Sequence, residues 1–90
     1  MEFEWNQAKA EANLRKHGVS FNEATTVFAD WLSRTVLDPD HSFGEDRFLT
    51  FGVSANGRAL VVSHIERGNK IRIISARALT RHEQRAYEDG

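Results

Sequence analysis

The chain contains no cysteine, a single proline, and no apolar run near the roughly 20 residues that a membrane helix requires. Each absence removes a class of protein. Without cysteine there is neither a disulfide framework nor a thiolate metal site. With one proline and no low-complexity tract, the composition is that of a chain that folds, not one that stays disordered. The first residues are acidic and amphipathic, unlike the basic and then apolar start of a signal peptide, so a cytoplasmic setting is expected. Ninety residues make one domain, spanning residues 1–90, and a chain of this size buries only roughly 60–65% of its unfolded surface.

The net charge of −1 conceals a segregation. Residues 1–45 carry eight acidic and four basic side chains, whereas residues 46–90 carry five acidic and eight basic. Between 47 and 85 there are eight arginines and lysines against two glutamates, a local net of +6. Such asymmetry points to a polyanion or an acidic partner facing the C-terminal half. The competing explanation is a solvated strand face matched by the protein's own acidic half.

Elements follow from caps and periodicity. Phe3 and Trp5 alternate as in a short strand. Asn6 then reads as an N-cap, with Trp5 positioned to staple onto Ala10. The helix through Ala8, Ala12 and Leu14 is expected to end at His17-Gly18, glycine being the usual left-handed terminator. Ser20 and Glu23 have capping-box spacing, with Val19 as the staple. Phe21, Ala24, Phe28, Trp31 and Leu32 follow at helical spacing and predict one wide apolar face.

From Leu32 the period changes to two. Thr35 to Leu37, Arg47 to Ser54, Arg58 to Arg67 and Lys70 to Arg77 read as strands, separated by Asp38-Pro39-Asp40, Ala55-Asn56-Gly57 and Gly68-Asn69. A further helix begins after Thr80, which with Glu83 forms another capping box. The expected fold is α+β: two N-terminal helices packed on an antiparallel β-meander sheet, closed by a short C-terminal helix. One sheet face should pack on the helices while the other stays at least partly open.

The C-terminal segment, Ile71-Arg72-Ile73-Ile74-Ser75-Ala76-Arg77 running into the helix of Arg81 and Arg85, stands out. Arg81 falls in a first turn, where the helix dipole disfavours a cation. Arg81 and Arg85 are also a like-charged i,i+4 pair, again mildly unfavourable. An anion at that place would relieve both penalties.

The pieces Phe3-Glu4-Trp5, Asn13-Leu14-Arg15-Lys16-His17-Gly18-Val19-Ser20-Phe21-Asn22-Glu23-Ala24, Val27-Phe28, His41-Ser42, Arg47, Gly57-Arg58 and Ile71 through Arg77, followed by Glu83 and Tyr87, resemble a BrnT-type toxin in order and spacing over nearly the whole chain. The resemblance implies a RelE-like fold and a bacterial type II toxin that inhibits translation by cleaving RNA (mRNA) without a metal or other cofactor. It also implies a BrnA-like antitoxin that neutralises the toxin, a hetero-oligomer with it, and contact with operator DNA only through that complex.

Cleavage of this kind uses the ribose 2′-OH against the adjacent phosphate. It needs a proton acceptor, a stabiliser of the anionic transition state and a proton donor for the leaving 5′-oxygen. An arginine fork suits the second role, since its fixed donors clasp phosphate oxygens bidentately. Arg77, at a strand end ahead of a helix N-terminus, is the first choice, followed by Arg81 and Arg47. For each, an ion pair is the competing role, with Glu83, Glu88 and Glu45 or Asp46 as partners.

Acid and base are harder to name among His17, His41, His64 and His82. His17 lies in the motif but also at a helix C-terminus, where a cation suits the dipole on structural grounds. His64 alternates with Leu60 and Val62 as a buried sheet residue would. His41 sits in an acidic, turn-rich loop and His82 in a helical first turn. Arg67, Lys70 and Arg72 are candidates for tracking an RNA backbone, unless they only solubilise a strand edge. Arg85 and Lys9 are further RNA-binding candidates, and the resemblance also keeps Lys9 and Tyr87 in play for proton transfer. Tyr87 offers an aromatic face or hydroxyl to RNA, or else packs the last helix on the sheet. Trp5 and Trp31 read as core or antitoxin-interface residues. Asp38, Asp40, His41, Glu45 and Asp46 lack the spacing of a calcium loop, so no metal site is expected. A non-catalytic RNA-binding or antitoxin-docking module is the alternative to an enzyme.

Overall fold

The structure, a computed structural model, describes residues 1–89. Its elements run β1 (Glu2–Glu4), α1 (Gln7–His17), α2 (Phe21–Val27), β2 (Arg34–Leu37), a 3₁₀ turn (Pro39–His41), β3 (Phe48–Val53), β4 (Ala59–Arg67), β5 (Lys70–Ala78) and α3 (Arg81–Asp89). They form an α+β fold with one five-stranded sheet of order β1-β5-β4-β3-β2. Strands β2 to β5 are an antiparallel meander, but β1 pairs parallel to β5, Phe3 lying opposite Ile71. The sheet is therefore mixed, a correction to the purely antiparallel expectation. Beside β5, β1 sends Phe3 onto Phe28 at 5.3 Å between rings, and the chain continues directly into α1. Among the described residues, no helix is long and apolar enough to cross a membrane.

The expected caps form. Asn6 accepts from the Lys9 N–H at 3.0 Å, and Ser20 Oγ accepts from the Glu23 N–H at 3.0 Å. Gly18 closes α1 at φ 69°, donating its N–H to the Leu14 carbonyl. Glu23, however, does not return to Ser20. Its carboxylate takes Ser54 Oγ at 2.7 Å and the Arg58 guanidinium, which also donates to the Gly18 carbonyl. Those bonds clamp the β3–β4 hairpin onto the α1–α2 turn. Arg58 holds the Glu23 carboxyl down to about 2, outweighing the opposing effect of burial.

The core lies between the helices and one sheet face, around Val19, Phe21, Ala24, Val27, Leu60, Val62, Ile73 and Ala76. Trp5 meets Phe21 edge-on at 5.9 Å. His64 is in this layer, 2% exposed, as its alternation with Leu60 and Val62 predicts. Its Nε2 bonds Thr50 Oγ1 at 2.7 Å, and burial lowers its pKa to about 4.

The apolar face predicted for the second helix is cut short. α2 stops at Val27, and the Asp30 carboxylate then accepts from the N–H groups of Leu32 and Val53. This turns the chain away into β2, leaving Trp31 88% exposed. Gly52 permits the close approach there, since a Cβ on it would lie 2.9 Å from Val27 Cγ1.

Candidate active site

The edge of β5 is covered in two different ways. β1 pairs only with Lys70 to Arg72. Farther along, the buried Asn13 side chain substitutes for a neighbouring strand. Its Oδ1 accepts from Ala76 N–H at 3.1 Å, and its Nδ2 donates to the carbonyls of Ala76 (2.8 Å) and Val19 (2.9 Å). A single amide thus satisfies three backbone groups that would otherwise be orphaned in the interior.

Between these two covers the register slips. Ser63 pairs with Ser75 but His64 with Ile73, leaving Ile74 without a partner on β4. The consequence is directional. Ile71, Ile73 and Ala76 are buried against the helices, while Ser75 and Arg77 project from the opposite face. Unbroken alternation would have put Arg77 on the same face as Ile71 and Ile73, so the irregularity re-aims it.

That opposite face carries a polar cleft of about 330 Å³ lined by Asp38, His41, Arg47, Leu49, Ser63, Ser75 and Arg77. Leu49, Ser63 and Ser75 form one row across β3, β4 and β5 and make its floor. Arg47 and the acidic loop close one side. The Asp38 N–H donates to the Arg47 carbonyl at 2.8 Å, extending the β2–β3 ladder by one step. Ser42 Oγ accepts from the Arg47 N–H at 3.0 Å and donates to the Asp38 carbonyl at 2.6 Å. Pro39 opens the 3₁₀ turn, and three residues after Asp38 the His41 ring returns to it, Nδ1 to Oδ2 at 2.8 Å. Arg47 Nε is buried and makes no hydrogen bond among the described residues. The loop therefore contributes side chains to the cleft, a role its acidic composition did not reveal.

Arg77 forms the opposite wall, and α3 orients it. Its Nη1 and Nη2 donate to the two oxygens of Glu83 at 2.7 and 2.9 Å, and Nη1 also reaches the Ala78 carbonyl. Glu83 is itself fixed by the capping box, accepting from Thr80 N–H while Thr80 Oγ1 accepts from Glu83 N–H. Arg77 first, and then the Thr80 amide, hold the Glu83 carboxyl down to about 2. The same pairing raises the Arg77 pKa. Glu83 is bonded to Arg77, and no hydrogen bond or ion pair joins it to Arg81 or Arg85 among the described residues. It takes the end of the Arg77 fork and leaves the Nε edge without a hydrogen bond among the described residues.

The other candidates separate. Lys9 and His17 line a shallow groove between α1 and β5 with Lys16, Ile74 and Ser75, and Ser75 borders both groove and cleft. Arg81 and Arg85 are exposed on α3, outside the cleft lining. Arg67 and Lys70 flank the β4–β5 turn, and Lys70 is seven positions from Arg77, about 23 Å along a strand. Arg72 pairs with Glu4 at 3.3 Å. Tyr87 donates to the Leu32 carbonyl at 3.1 Å and lies 5.9 Å below the Arg34 guanidinium, docking α3 over Val36 and Phe51. Among the described residues, no three His, Asp or Glu side chains converge as a metal donor set.

Sequence reasoning named Arg47 and Arg77 but missed Asp38, His41, Ser63 and Ser75 as their neighbours. The available signals were the Asp-Pro-x-His spacing and the Ile73-Ile74 doublet that breaks the alternation.

A family model described as ribonuclease toxin, BrnT, of type II toxin–antitoxin system matches residues 5–83, and so ends inside α3. The fold is similar to the 1.1 Å crystal structure of the Brucella abortus ribonuclease toxin BrnT, with a TM-score of 0.66 and 20% sequence identity over 90% of this chain and 99% of that one. No curated protein matches the chain. With more than half of its residues matched by that model, the chain belongs to the BrnT family of ribonuclease toxins of type II toxin–antitoxin systems.

Proposed function

We propose that the cleft between Arg47 and Arg77 cleaves RNA (mRNA in the cell) by attack of a ribose 2′-OH on the adjacent phosphate, without a metal, and so inhibits translation. The observation that carries this reading is the convergence of two arginines from opposite walls over a floor of two serines. An anionic pentacoordinate phosphate placed there would meet donors on both sides, and such fixed donors lower the barrier most when water is largely displaced. The Nε edge of Arg77 and the Arg47 guanidinium, which lines the cleft and makes no hydrogen bond among the described residues, supply donors that the protein does not itself consume. Ser75 borders the groove of Lys9, Lys16 and His17, which gives the flanking RNA backbone a cationic path out of the cleft. Kinship of the fold with RelE-like nucleases belongs to the same proposal.

Family membership implies an antitoxin. We place a BrnA-like antitoxin on the free edge of β2, where Trp31, Leu32, Val36 and Leu37 are exposed. An unpaired strand edge with apolar side chains accepts an added strand. Phe43, 84% exposed, lies on the loop that follows β2 and walls the cleft, so a segment extending from that edge to Phe43 would shadow the site. Operator DNA would be contacted through the antitoxin.

Expression of the chain should arrest growth, co-expression of the antitoxin should relieve the arrest, and Arg77→Ala should abolish it while keeping antitoxin binding. A folded Arg77→Ala variant that stays fully toxic would remove the cleft from the mechanism. One observation favours a non-catalytic RNA-binding or antitoxin-docking module instead: Glu83 already occupies the end of the Arg77 fork. Under that alternative, purified protein binds RNA with a steep salt dependence and leaves it intact.

A further inference from the structure

His41 is the group that the cleft's geometry singles out for proton transfer. Of the four histidines, His64 is buried among aromatics on the helix side, 4.9 Å from Phe28 and 5.9 Å from Phe48 between ring centroids. His17 lies in the neighbouring groove, and His82 lines a different pocket under α3. Among the described residues, His41 is the histidine that lines the cleft with Arg47 and Arg77. Its Nδ1 meets Asp38 Oδ2 at 2.8 Å, and the Asp38 side chain is 12% exposed where the imidazole is 63% exposed. A carboxylate accepts hydrogen bonds and does not donate them, so it fixes the tautomer with hydrogen on Nδ1 and the lone pair on Nε2. Asp38 is in turn held by the rigid end of the β2–β3 ladder, through Arg47 and Ser42. A carboxylate that orients an imidazole, on a ring that lines a cleft with two arginines and whose outer nitrogen makes no hydrogen bond among the described residues, is the arrangement of a general base.

We infer that His41 is the general base of the cleft, taking the proton of the attacking 2′-OH on Nε2, and that Asp38 is its positioning residue. This inference rests on the ribonuclease reading. In the step, the 2′-oxygen forms a bond to phosphorus while its proton passes to His41 Nε2. The bond from phosphorus to the 5′-oxygen breaks, leaving a 2′,3′-cyclic phosphate. In-line geometry puts the leaving oxygen on the far side of phosphorus from His41, so that oxygen takes its proton from water. His41 returns its own proton to solvent, and Arg47 and Arg77 hold the phosphoryl oxygens throughout. No oxidant, reductant or co-reactant is required.

The test uses the antitoxin-free protein on a fluorescent RNA oligonucleotide, with an uncleavable analogue bearing a 2′-deoxy scissile residue for affinity. His41→Ala should lower kcat by roughly 10²–10⁴-fold. Its affinity for the analogue should be unchanged, and free imidazole should restore part of the rate. Asp38→Asn should lower kcat without raising KM. A folded His41→Ala variant that cleaves at the wild-type rate overturns the inference and leaves the ribonuclease reading standing, provided Arg77→Ala is inactive. Loss of cleavage that imidazole does not restore, or that tracks loss of affinity for the analogue, makes His41 structural and overturns the inference as well. A wild-type protein that binds the oligonucleotide but never cleaves it sinks both.

Discussion

The two faces of the sheet share their strands and obey opposite rules. On the helix side, Phe21, Val27, Leu60, Val62 and Ile73 exclude water, and the polar intruders are held by hydrogen bonds: Asn13 spends its amide on Ala76 and Val19, and Thr50 bonds His64. On the other face, Val61 and Phe51 lie toward α3, but the row beside them ends in Ser63 and Ser75 beneath two arginines and an Asp–His pair. One face uses its polar groups to complete a core. The other leaves donor capacity unspent on Arg47 and Arg77, which is what a ligand-binding surface requires. Substitutions on the two sides should therefore fail in different assays.

The largest effect belongs to Arg77→Ala, which should reduce RNA cleavage roughly 10²–10³-fold, the usual consequence of removing one preorganised transition-state donor. Breaking its partly exposed pair with Glu83 costs about 1 kcal/mol, or a thermal midpoint lower by roughly 4–8 °C. Arg77→Lys should not restore the rate, because a point charge cannot bond Glu83 and a phosphate with a planar fork. If Arg77→Ala lost stability alone and kept its rate, the two faces would not be distinct in function.

Asn13→Ala is the mirror case. It strands Ala76 N–H, Ala76 C=O and Val19 C=O in the interior, with an expected cost of about 3 kcal/mol. Chemical denaturation measures that loss, while the specific rate of the molecules still folded should be unchanged. A stable variant with a lost rate would move Asn13 across the comparison.

Acid should act on the helix side first. The buried His64 has a folded pKa near 4, depressed below its ordinary 6.5, so the unfolded chain binds the extra proton between those values. Its contribution is full above pH 6.5 and is lost as pH falls toward 4. The carboxyls of Glu23 and Glu83, held near 2 against an ordinary 4.5, withdraw their contributions only between pH 4.5 and 2. Thermal midpoints measured across pH 7 to 2.5 should fall in two phases, and His64→Gln should erase the first one only. An unaltered first phase in that variant would assign it to another group.

The smallest effect on the isolated protein is expected for Trp31→Ala. Stability should change by no more than about 0.5 kcal/mol, since the side chain is exposed. Antitoxin affinity, measured by calorimetry, should fall all the same. Unchanged affinity would move the antitoxin away from the β2 edge.

What the sequence revealed and what it hid divide along the range of the forces involved. Local chemistry was legible: the caps at Asn6, Ser20 and Thr80, the Gly18 terminator and the meander turns depend on residues within four positions of one another. Arg47 and Arg77 were legible as candidates from charge and placement. Their meeting was not, because it depends on the one-residue slip at Ile74, which composition and period cannot place on a face. The parallel pairing of β1 was hidden for a similar reason, since its partner lies 68 positions away. Trp31 misled because the helical period runs on past the point where Asp30 captures two backbone N–H groups and ends the helical path. Asp38 and His41 read as an acidic turn until the ladder beside Arg47 carried them into the cleft.

The central claim is that the open face performs RNA cleavage through a ribose 2′-OH with protein donors alone. Purified, antitoxin-free protein incubated with RNA in EDTA, followed by end-group analysis, tests it most directly. The account predicts new ends bearing 2′,3′-cyclic phosphate, formed at the same rate with and without the chelator. Complete loss of cleavage in EDTA, or products ending in a 3′-hydroxyl, would contradict it.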